Sequence, residues 1–568
     1  VRMTRMFSTG YAAIEPVKGL KLKETLSYDY TIQKDSRYYN PLSSAGPKSG
    51  SDAQTAKGFI EYGKLISSTS LNYVHTFAHK HHLNVLAAYE IESYQTDHAS
   101  GEKSKLPSDK LTEPDNAAVL NSFKSATQAY RMISYLSRLN YDYDDRYYIA
   151  GSYRRDGSSR LSPNNRWGNF WSVSGMWHLG NENFMKAVKP VLSDVKIRAS
   201  YGVNGNQPGS YYGYKGLYSY GENYMEAAGS YESSQPNDLL TWEKNYSLNL
   251  GIDLSFINRI FASLEYYNRD TKDLLYSLPI SATTGFTSYL SNIGRLNNKG
   301  IEFELRTLNV VSNDFNWTSV FNLSHNRNKI VSLNGLLDQT IEGTWFIHKV
   351  GLPYHTFYVK EFAGVDPQTG YAQYYLNTKN EDGSYNRELT TDADKAESIP
   401  YKTATPKVSG GFTNILNYKW IDLTFTLTYS LGGYSFDKLG TYIENGTSSI
   451  YSSRYNLPAY MMNRWQNPGD QTDIPRFVYN ESATSTNSSR YIHSTDHLRL
   501  KNFTLGFTLP NQWTQKLMID KVRIYFSGNN LLTWAKWKQY DPETPVNGEV
   551  FCEAPAMRTF SFGAQLSF

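Results

Sequence analysis

A chain of 568 residues with 47 tyrosines, aromatics at 15% and charged residues at only 19% is too aromatic to be disordered. Its mean hydropathy is −0.55, and no apolar run approaches the roughly 18–20 residues of a spanning helix, which excludes a helical membrane protein. Cys552 stands alone, so a disulfide scaffold is excluded, and the balance of 57 basic against 53 acidic residues is dispersed with no basic face for nucleic acid.

In chain order, the segment Thr4 to Ile14 already reads as a strand. The basic residues of Val1 to Phe7 are not followed by an apolar stretch, so no signal peptide is expected in this sequence. Val195–Val203, Leu248–Phe256, Ile301–Leu305, Ile421–Leu431 and Phe560–Phe568 alternate apolar and polar residues with period two. That pattern puts one face of each strand in apolar surroundings and the other in polar ones. In Leu498–Phe507 the alternation slips by one at Asn502, predicting a β-bulge. Lys196, Arg198, Arg269, Glu302, Glu304, Arg499, Lys501 and Arg523 fall on the polar faces. Soluble β-sandwiches alternate too, so alternation leaves both architectures open.

Connection lengths separate them. About seventeen strands are expected, joined by connections that alternate between tight and long. Ala78–Lys80, Ile257–Arg259, Val310–Asp314 and Asn417–Trp420 are tight. Long loops are expected at about 33–56, 98–126, 206–240, 276–295, 328–406, 435–495 and 534–558. Up-and-down membrane barrels have this asymmetry, whereas Greek-key sandwiches have no reason for it. Gly180–Asp194 is long for a turn, and Ser158–Arg166 is short for an outer loop. The ending on Phe568 suits an aromatic girdle. The predicted fold is all-β: a transmembrane antiparallel up-and-down barrel occupying residues 1–568 as a single domain.

Several motifs then resemble one family. Arg154 to Arg160, with Arg155, Asp156 and Gly157, precedes Pro163 to Gly168, with Asn165, Arg166 and Trp167. Lys196 to Asn206 follows. Next comes Ser291 to Glu302, which carries Asn292, Gly294, Asn298, Gly300 and Glu302. Leu498 to Phe503, Gly528 to Trp534 and Tyr540 to Glu543 complete the series. In this order they resemble the SusC/RagA family of TonB-dependent outer-membrane transporters.

The resemblance implies a barrel of 22 strands preceded by a signal peptide, a TonB box and a plug domain. This chain is therefore expected to be the C-terminal part of such a barrel, without the plug. It further implies uptake of oligosaccharides or peptides, with a SusD-like surface lipoprotein as lid. Energy would come from TonB-ExbB-ExbD through the N-terminal part, in the bacterial outer membrane. No enzymatic activity and no cofactor are expected. A siderophore or cobalamin receptor is the alternative within the class, and a secreted glycan-binding or glycan-degrading β-protein the alternative outside it.

Tyr211, Tyr212, Tyr214, Tyr218, Tyr220 and Tyr224 crowd one long loop, where rings with hydroxyl handles suit sugar stacking. Loop self-packing or contact with a lid protein is the structural alternative, and the more frequent one. Trp345 is a further candidate for substrate contact, and Trp534 with Trp537 reads as an interface belt. His75, His79, His81 and His82 cluster at a turn, but neighbouring residues in a strand point to opposite faces, so no shared metal is expected. Asp366–Gly370 and Asn380–Gly383 are turn chemistry first; a loop-bound calcium would need more oxygen ligands. No pair of carboxylates marks a glycosidase cleft.

Overall fold

The computed structural model describes residues 1–40, 53–108, 110–225, 227–333, 339–342, 345–444, 456–477, 487–514, 519–543 and 547–567. Phe568 lies outside them, as do parts of the predicted 33–56, 328–406, 435–495 and 534–558 loops.

Seventeen strands among the described residues belong to one sheet. They are Arg2–Val17, Leu20–Tyr39, Gln54–Phe77, His81–Ser104, Val119–Tyr143, Tyr147–Ser158, Trp167–His178, Leu192–Asn206, Glu243–Phe256, Ile260–Lys272, Arg295–Val311, Phe315–Ser332, Val408–Tyr418, Ile421–Leu431, His497–Thr508, Lys521–Ala535 and Thr559–Ser567. The number matches the sequence expectation. Strands run further into the predicted loops than alternation indicated. Residues 98–104 and 119–126 are strand, so the 98–126 loop shrinks to the segment between Ser104 and Val119.

The chain divides into two compact units. The first holds Val1–His178, Arg198–Leu248 and Thr271–Ile293, and the second the remaining segments, including Gly294–Phe568. In the first, each strand from Arg2–Val17 to Trp167–His178 pairs antiparallel with the next along the chain. In the second the same holds from Arg295–Val311 to Thr559–Ser567.

The tight turns are where they were expected, and backbone conformation explains how they close. Ala78 and His79, Asp144 and Asp145, and Ile257 and Asn258 all have φ between 46° and 57°, the left-handed pairs that two-residue hairpins need. Within the first unit these turns share one edge: Val74 N–H donates to Gly19 O, Asp144 N–H to Lys80 O and His178 N–H to Arg146 O. Within the second, Leu308 N–H reaches Arg259 O and Lys419 N–H reaches Asp314 O. The long Gly180–Asp194 connection is filled by two 3₁₀ turns, Leu179–Asn181 and Asn183–Ala187.

The two faces of the first unit's strands differ sharply. Leu71, Val85, Leu139, Ile149 and Val173 line one face and stay 37–57% exposed, which is how a lipid-covered surface looks without its lipid. Aromatic rows border this band. Near the tight turns, Tyr143, Tyr147 and Trp177 follow one another at ring distances of 6.4 and 6.2 Å. Higher up, Tyr89, Tyr135 and Trp167 do so at 5.3 and 6.2 Å. Tyr135 and Tyr143 are eight residues apart, which at ~3.3 Å per residue and a tilt of about 40° is roughly 20 Å, near the ~25 Å height of an outer-membrane apolar band. The opposite face carries ion pairs: Lys64–Glu92 at 3.0 Å and Arg154–Asp156 at 2.7 Å.

In the second unit Ile421, Leu423, Phe425, Leu427 and Tyr429 share one face, while Asp422 on the other face holds Arg523 at 2.5 Å. The predicted bulge is present one residue earlier than the alternation suggested. Asn502 pairs with Thr426 and Leu500 with Leu427, leaving Lys501 as the extra residue. Register between strands is also keyed by rings lying over glycines. A Cβ at Gly300 would sit 2.5 Å from the Tyr267 hydroxyl, one at Gly410 2.5 Å from that of Tyr429, and one at Gly563 2.4 Å from the Tyr525 ring.

Candidate functional site

Each unit folds its long connections into an assembly of its own at the edge opposite its tight turns. In the first unit the assembly grows from the Arg154–Gly168 motif. Arg154 and Arg155 are neighbours in a strand and diverge. Arg154 turns to the polar face, meeting Asp156, Glu90 and Ser134, while Arg155 lies 5.0 Å over the Trp167 ring on the apolar face. Gly157 and Gly168 leave room for rings: a Cβ would meet Trp167 at 2.8 Å and Phe170 at 2.5 Å, respectively. Asn165 donates to Asp238 O and Trp242 to Arg166 O, so the short 158–166 connection is tied to the far end of the 206–240 loop. Leu161, Phe170, Leu240 and Trp242 thereby close a small core, with Tyr214 packed against it.

Arg160 fastens the near end of that loop. Its guanidinium lies 4.0 Å over the Tyr130 ring and 4.6 Å over Tyr211, and it donates to Pro208 O and Gly209 O at 2.9 and 3.2 Å. Tyr130 also stacks on Tyr211 at 5.6 Å and bonds Glu92, which pairs with Lys64. Sequence reasoning missed Arg160 as a clasp, because its partners are ring faces and carbonyls that no motif specifies.

The six loop tyrosines separate into two groups. Tyr211, Tyr212 and Tyr214 turn inward. Tyr211 joins the Arg160 stack, and Tyr212 accepts a hydrogen bond from Ala129 N–H on the side where that strand has run past its Tyr147–Ser158 neighbour. Tyr218, Tyr220 and Tyr224 leave 61, 77 and 74% of their surface open, on and beside the Leu217–Tyr220/Ser230–Ser234 hairpin. Asn292 clamps the next connection, with its side chain bonded to Thr241 N–H, Thr241 O and Asp273 O.

In the second unit the connections are larger and form small sheets. Phe346–Lys349, Thr356–Lys360 and Ser398–Thr403 make one with Gln339–Glu342. Phe362–Val365, Ala372–Tyr375 and Leu389–Thr390 make a second, and Tyr434–Asp437, Ile492–Ser494 and Glu549–Val550 a third. Phe357 and Phe436 are fully buried in a core shared by the first and third of these sheets, and Tyr491 almost so, while Ala372 and Tyr374 of the second pack in a separate one. Trp345 is part of this packing: it stacks on Phe436 at 4.2 Å and donates to Glu549. One of its faces is therefore covered.

Trp537 corrects an expectation. It is 8% exposed and stacks on His493 at 4.4 Å, so it belongs to the loop core and not to an interface belt; Trp534, at 52%, stays exposed. The Leu498–Phe503 and Tyr540–Glu543 motifs meet, because Arg499 binds Asp541 and Glu543 and Lys501 reaches Glu543 at 2.7 Å. Arg499 and Lys501, two apart in one strand, share the face that meets this last loop. In the Ser291–Glu302 motif, Gly294 has φ 89°, Asn298 accepts from Asn328 at 2.7 Å, and Glu302 is exposed.

Burial sets the protonation of two loop groups. It pushes the Asp437 carboxyl up to about 6, against a hydrogen bond from Gly440 N–H and with Glu444 adding to the rise. Burial, helped by nearby Arg490, drives His493 down to about 4. Asp366 is held below the usual carboxylate range by the Thr369 hydroxyl and the Gln368 N–H, which is the turn chemistry expected for that segment.

A sheet of this size, with an apolar face bounded by aromatic rows and every large loop assembly opposite the tight turns of its unit, has known counterparts. The family model described as TonB dependent receptor-like, beta-barrel, matches residues 4–531. The chain belongs to that family. It is 30% identical over 98% of its length to the TonB-dependent receptor P3 of Formosa agariphila, and 32% identical over 80% of its length to the TonB-dependent receptor SusC of Bacteroides thetaiotaomicron. These alignments take up 57 and 45% of those relatives, so the chain spans about half the length of the curated relatives it matches. Among solved structures, that of the RagAB peptide transporter matches with a TM-score of 0.88 at 28% identity, covering 100% of this chain and 62% of that one. The SusC/RagA resemblance read from the motifs is thus met in both sequence and fold. The strands are those of an outer-membrane barrel.

Proposed function

We propose that the chain is the wall and loop part of an outer-membrane importer that takes up oligosaccharides or peptides. It would work with a SusD-like surface lipoprotein over its long loops and draw energy from TonB-ExbB-ExbD. The observation that carries this is the likeness to the RagAB peptide transporter over the whole of the chain. The SusC relative supports it independently through sequence. Transport, and not enzymatic turnover, is the activity that this reading assigns.

Within it, Tyr218, Tyr220 and Tyr224 are the residues placed to touch an incoming ligand or the lid, since their rings are exposed. Tyr211, Tyr212 and Tyr214 set the loop that carries them, and Trp345 supports the second loop assembly. The test is to purify the full-length transporter with whatever lipoprotein accompanies it and to identify bound ligand by mass spectrometry. Recovery of a SusD-like lipoprotein with a glycan or peptide is the expected result. An iron chelate or cobalamin in its place would sink the proposal in favour of the siderophore-type alternative.

A further inference from the structure

The four histidines of the Gln54–Phe77/His81–Ser104 hairpin do not converge, yet one of them meets two carboxylates from the neighbouring hairpin. His75 stacks on Tyr73 at a ring distance of 5.8 Å and meets Phe77 edge-on at 4.2 Å, and His81 packs against Tyr141 and Tyr143. His82 turns to the other face, where register places it directly opposite Asp142. The Tyr143–Tyr147 turn, with Asp144 and Asp145 both left-handed at φ 55° and 53°, folds Asp145 back towards the same point. Asp145 N–H donates to Asp142 Oδ1 at 3.2 Å, and the Tyr148 hydroxyl donates to Asp145 at 3.5 Å. One ligand atom from each of His82, Asp142 and Asp145 lies within 4.8 Å of the other two.

We propose that His82, Asp142 and Asp145 bind a first-row divalent cation, of the zinc or nickel type, at the tight-turn edge of the first unit. One imidazole nitrogen with two carboxylate oxygens suits such borderline ions better than calcium or magnesium, which favour all-oxygen sites. Ligands at ~2.0–2.2 Å from a tetrahedral zinc stand roughly 3.4 Å apart, so the three side chains need to draw in by about an ångström. Asp142 and Asp145 lie in or beside a turn and can do so without moving the sheet. Thr76 Oγ1 stands 3.0 Å from His82 Nδ1. In the tautomer that carries its hydrogen on Nδ1, the Thr76 hydroxyl accepts from it and leaves Nε2 for the ion, the arrangement of outer partners of metal-bound histidines. Asp144 meets Lys80 at 3.9 Å and Arg146 at 3.1 Å. The fourth position is open to water, and the ion would staple two adjacent hairpins.

The experiment titrates chelator-treated full-length transporter in detergent with zinc and follows the heat of binding. One saturable equivalent is expected. His82→Gln and Asp142→Asn should each weaken binding tenfold or more, and Thr76→Val about tenfold. His79→Gln and Asp144→Asn should leave it unchanged. Thr76→Val removes no ligand and keeps the site testable if the other variants insert poorly. Absence of saturable binding, equal binding by the His82 and Asp142 variants and the native protein, or displacement of zinc by an equal concentration of calcium would each overturn the assignment.

Discussion

The two loop assemblies solve the same problem by different means. Loops above a barrel must hold their shape with no second layer beneath them. In the second unit two of the small sheets, with Tyr491, bury Phe357 and Phe436 in one core, and the remaining sheet packs Ala372 and Tyr374 in another. In the first unit, the core of Leu161, Phe170, Leu240 and Trp242 is small, and the 206–240 loop relies on Arg160 lying over the stacked rings of Tyr130 and Tyr211. The difference teaches where stiffness resides. One assembly is held by burial, the other by a clasp, and the clasped one carries the exposed tyrosines.

The comparison breaks most severely at Phe436. Phe436→Ala should cost about 3–5 kcal/mol, since a fully buried ring leaves a cavity among Trp345 and Tyr491, and hydrogen exchange in 345–405 should rise while that in 206–240 does not. The wall supplies a reference that depends on neither assembly. Phe425→Lys should cost about 2–4 kcal/mol near mid-membrane and Thr424→Lys little, read as folded fraction in lipid; equal tolerance would contradict the assigned faces.

Acidity separates the assemblies next. Asp437 binds its proton more tightly folded than unfolded, so its contribution is whole in acid and fades as pH rises from about 4 through 6. His493 is held low, so its contribution is present above the ordinary imidazole range and fades as pH falls towards 4. Asp437→Asn keeps the acceptor for Gly440 N–H and should stabilise the second assembly near neutrality by on the order of 2–3 kcal/mol, with no gain near pH 4. A pH-independent effect in exchange or melting curves would refute this. The smallest effect is at the clasp. Arg160→Ala should cost about 1–2 kcal/mol and speed tryptic cleavage after Lys215, with Tyr211→Ala adding little further. Additive effects of the two would mean that they act separately.

Much of the wall was legible in the sequence. Ile421–Leu431 announces its two faces by strict alternation, and Ala78–Lys80 can only be a hairpin turn. The slip at Asn502 located the bulge to within one residue. The loops were not legible in that way. Trp537 looks like any girdle tryptophan until its stacking on His493 is known, because burial there depends on segments more than forty residues away. Arg160 stands in a motif that is plain to see, yet its role is fixed by Pro208, Gly209 and Tyr211 on another connection. The strands also outran the prediction at 98–104, where a polar, glycine-containing stretch has no apolar face to announce it.

The tyrosines laid over glycines bear on how the wall is assembled. Gly410 sits directly across from Tyr429, and Gly563 from Tyr525, in adjacent strands. A nascent pairing displaced by one residue would set the Tyr525 ring against Phe562 or Ala564, and Tyr429 against Ser409 in one direction, and turn every apolar residue of that strand towards the lumen. Such a mismatch is felt as soon as two strands meet, before any barrel has closed. A shifted register is thereby penalised at the first contact of the two strands. Loss of these tyrosines should appear in the yield of correctly inserted protein well before it appears in the stability of the finished wall.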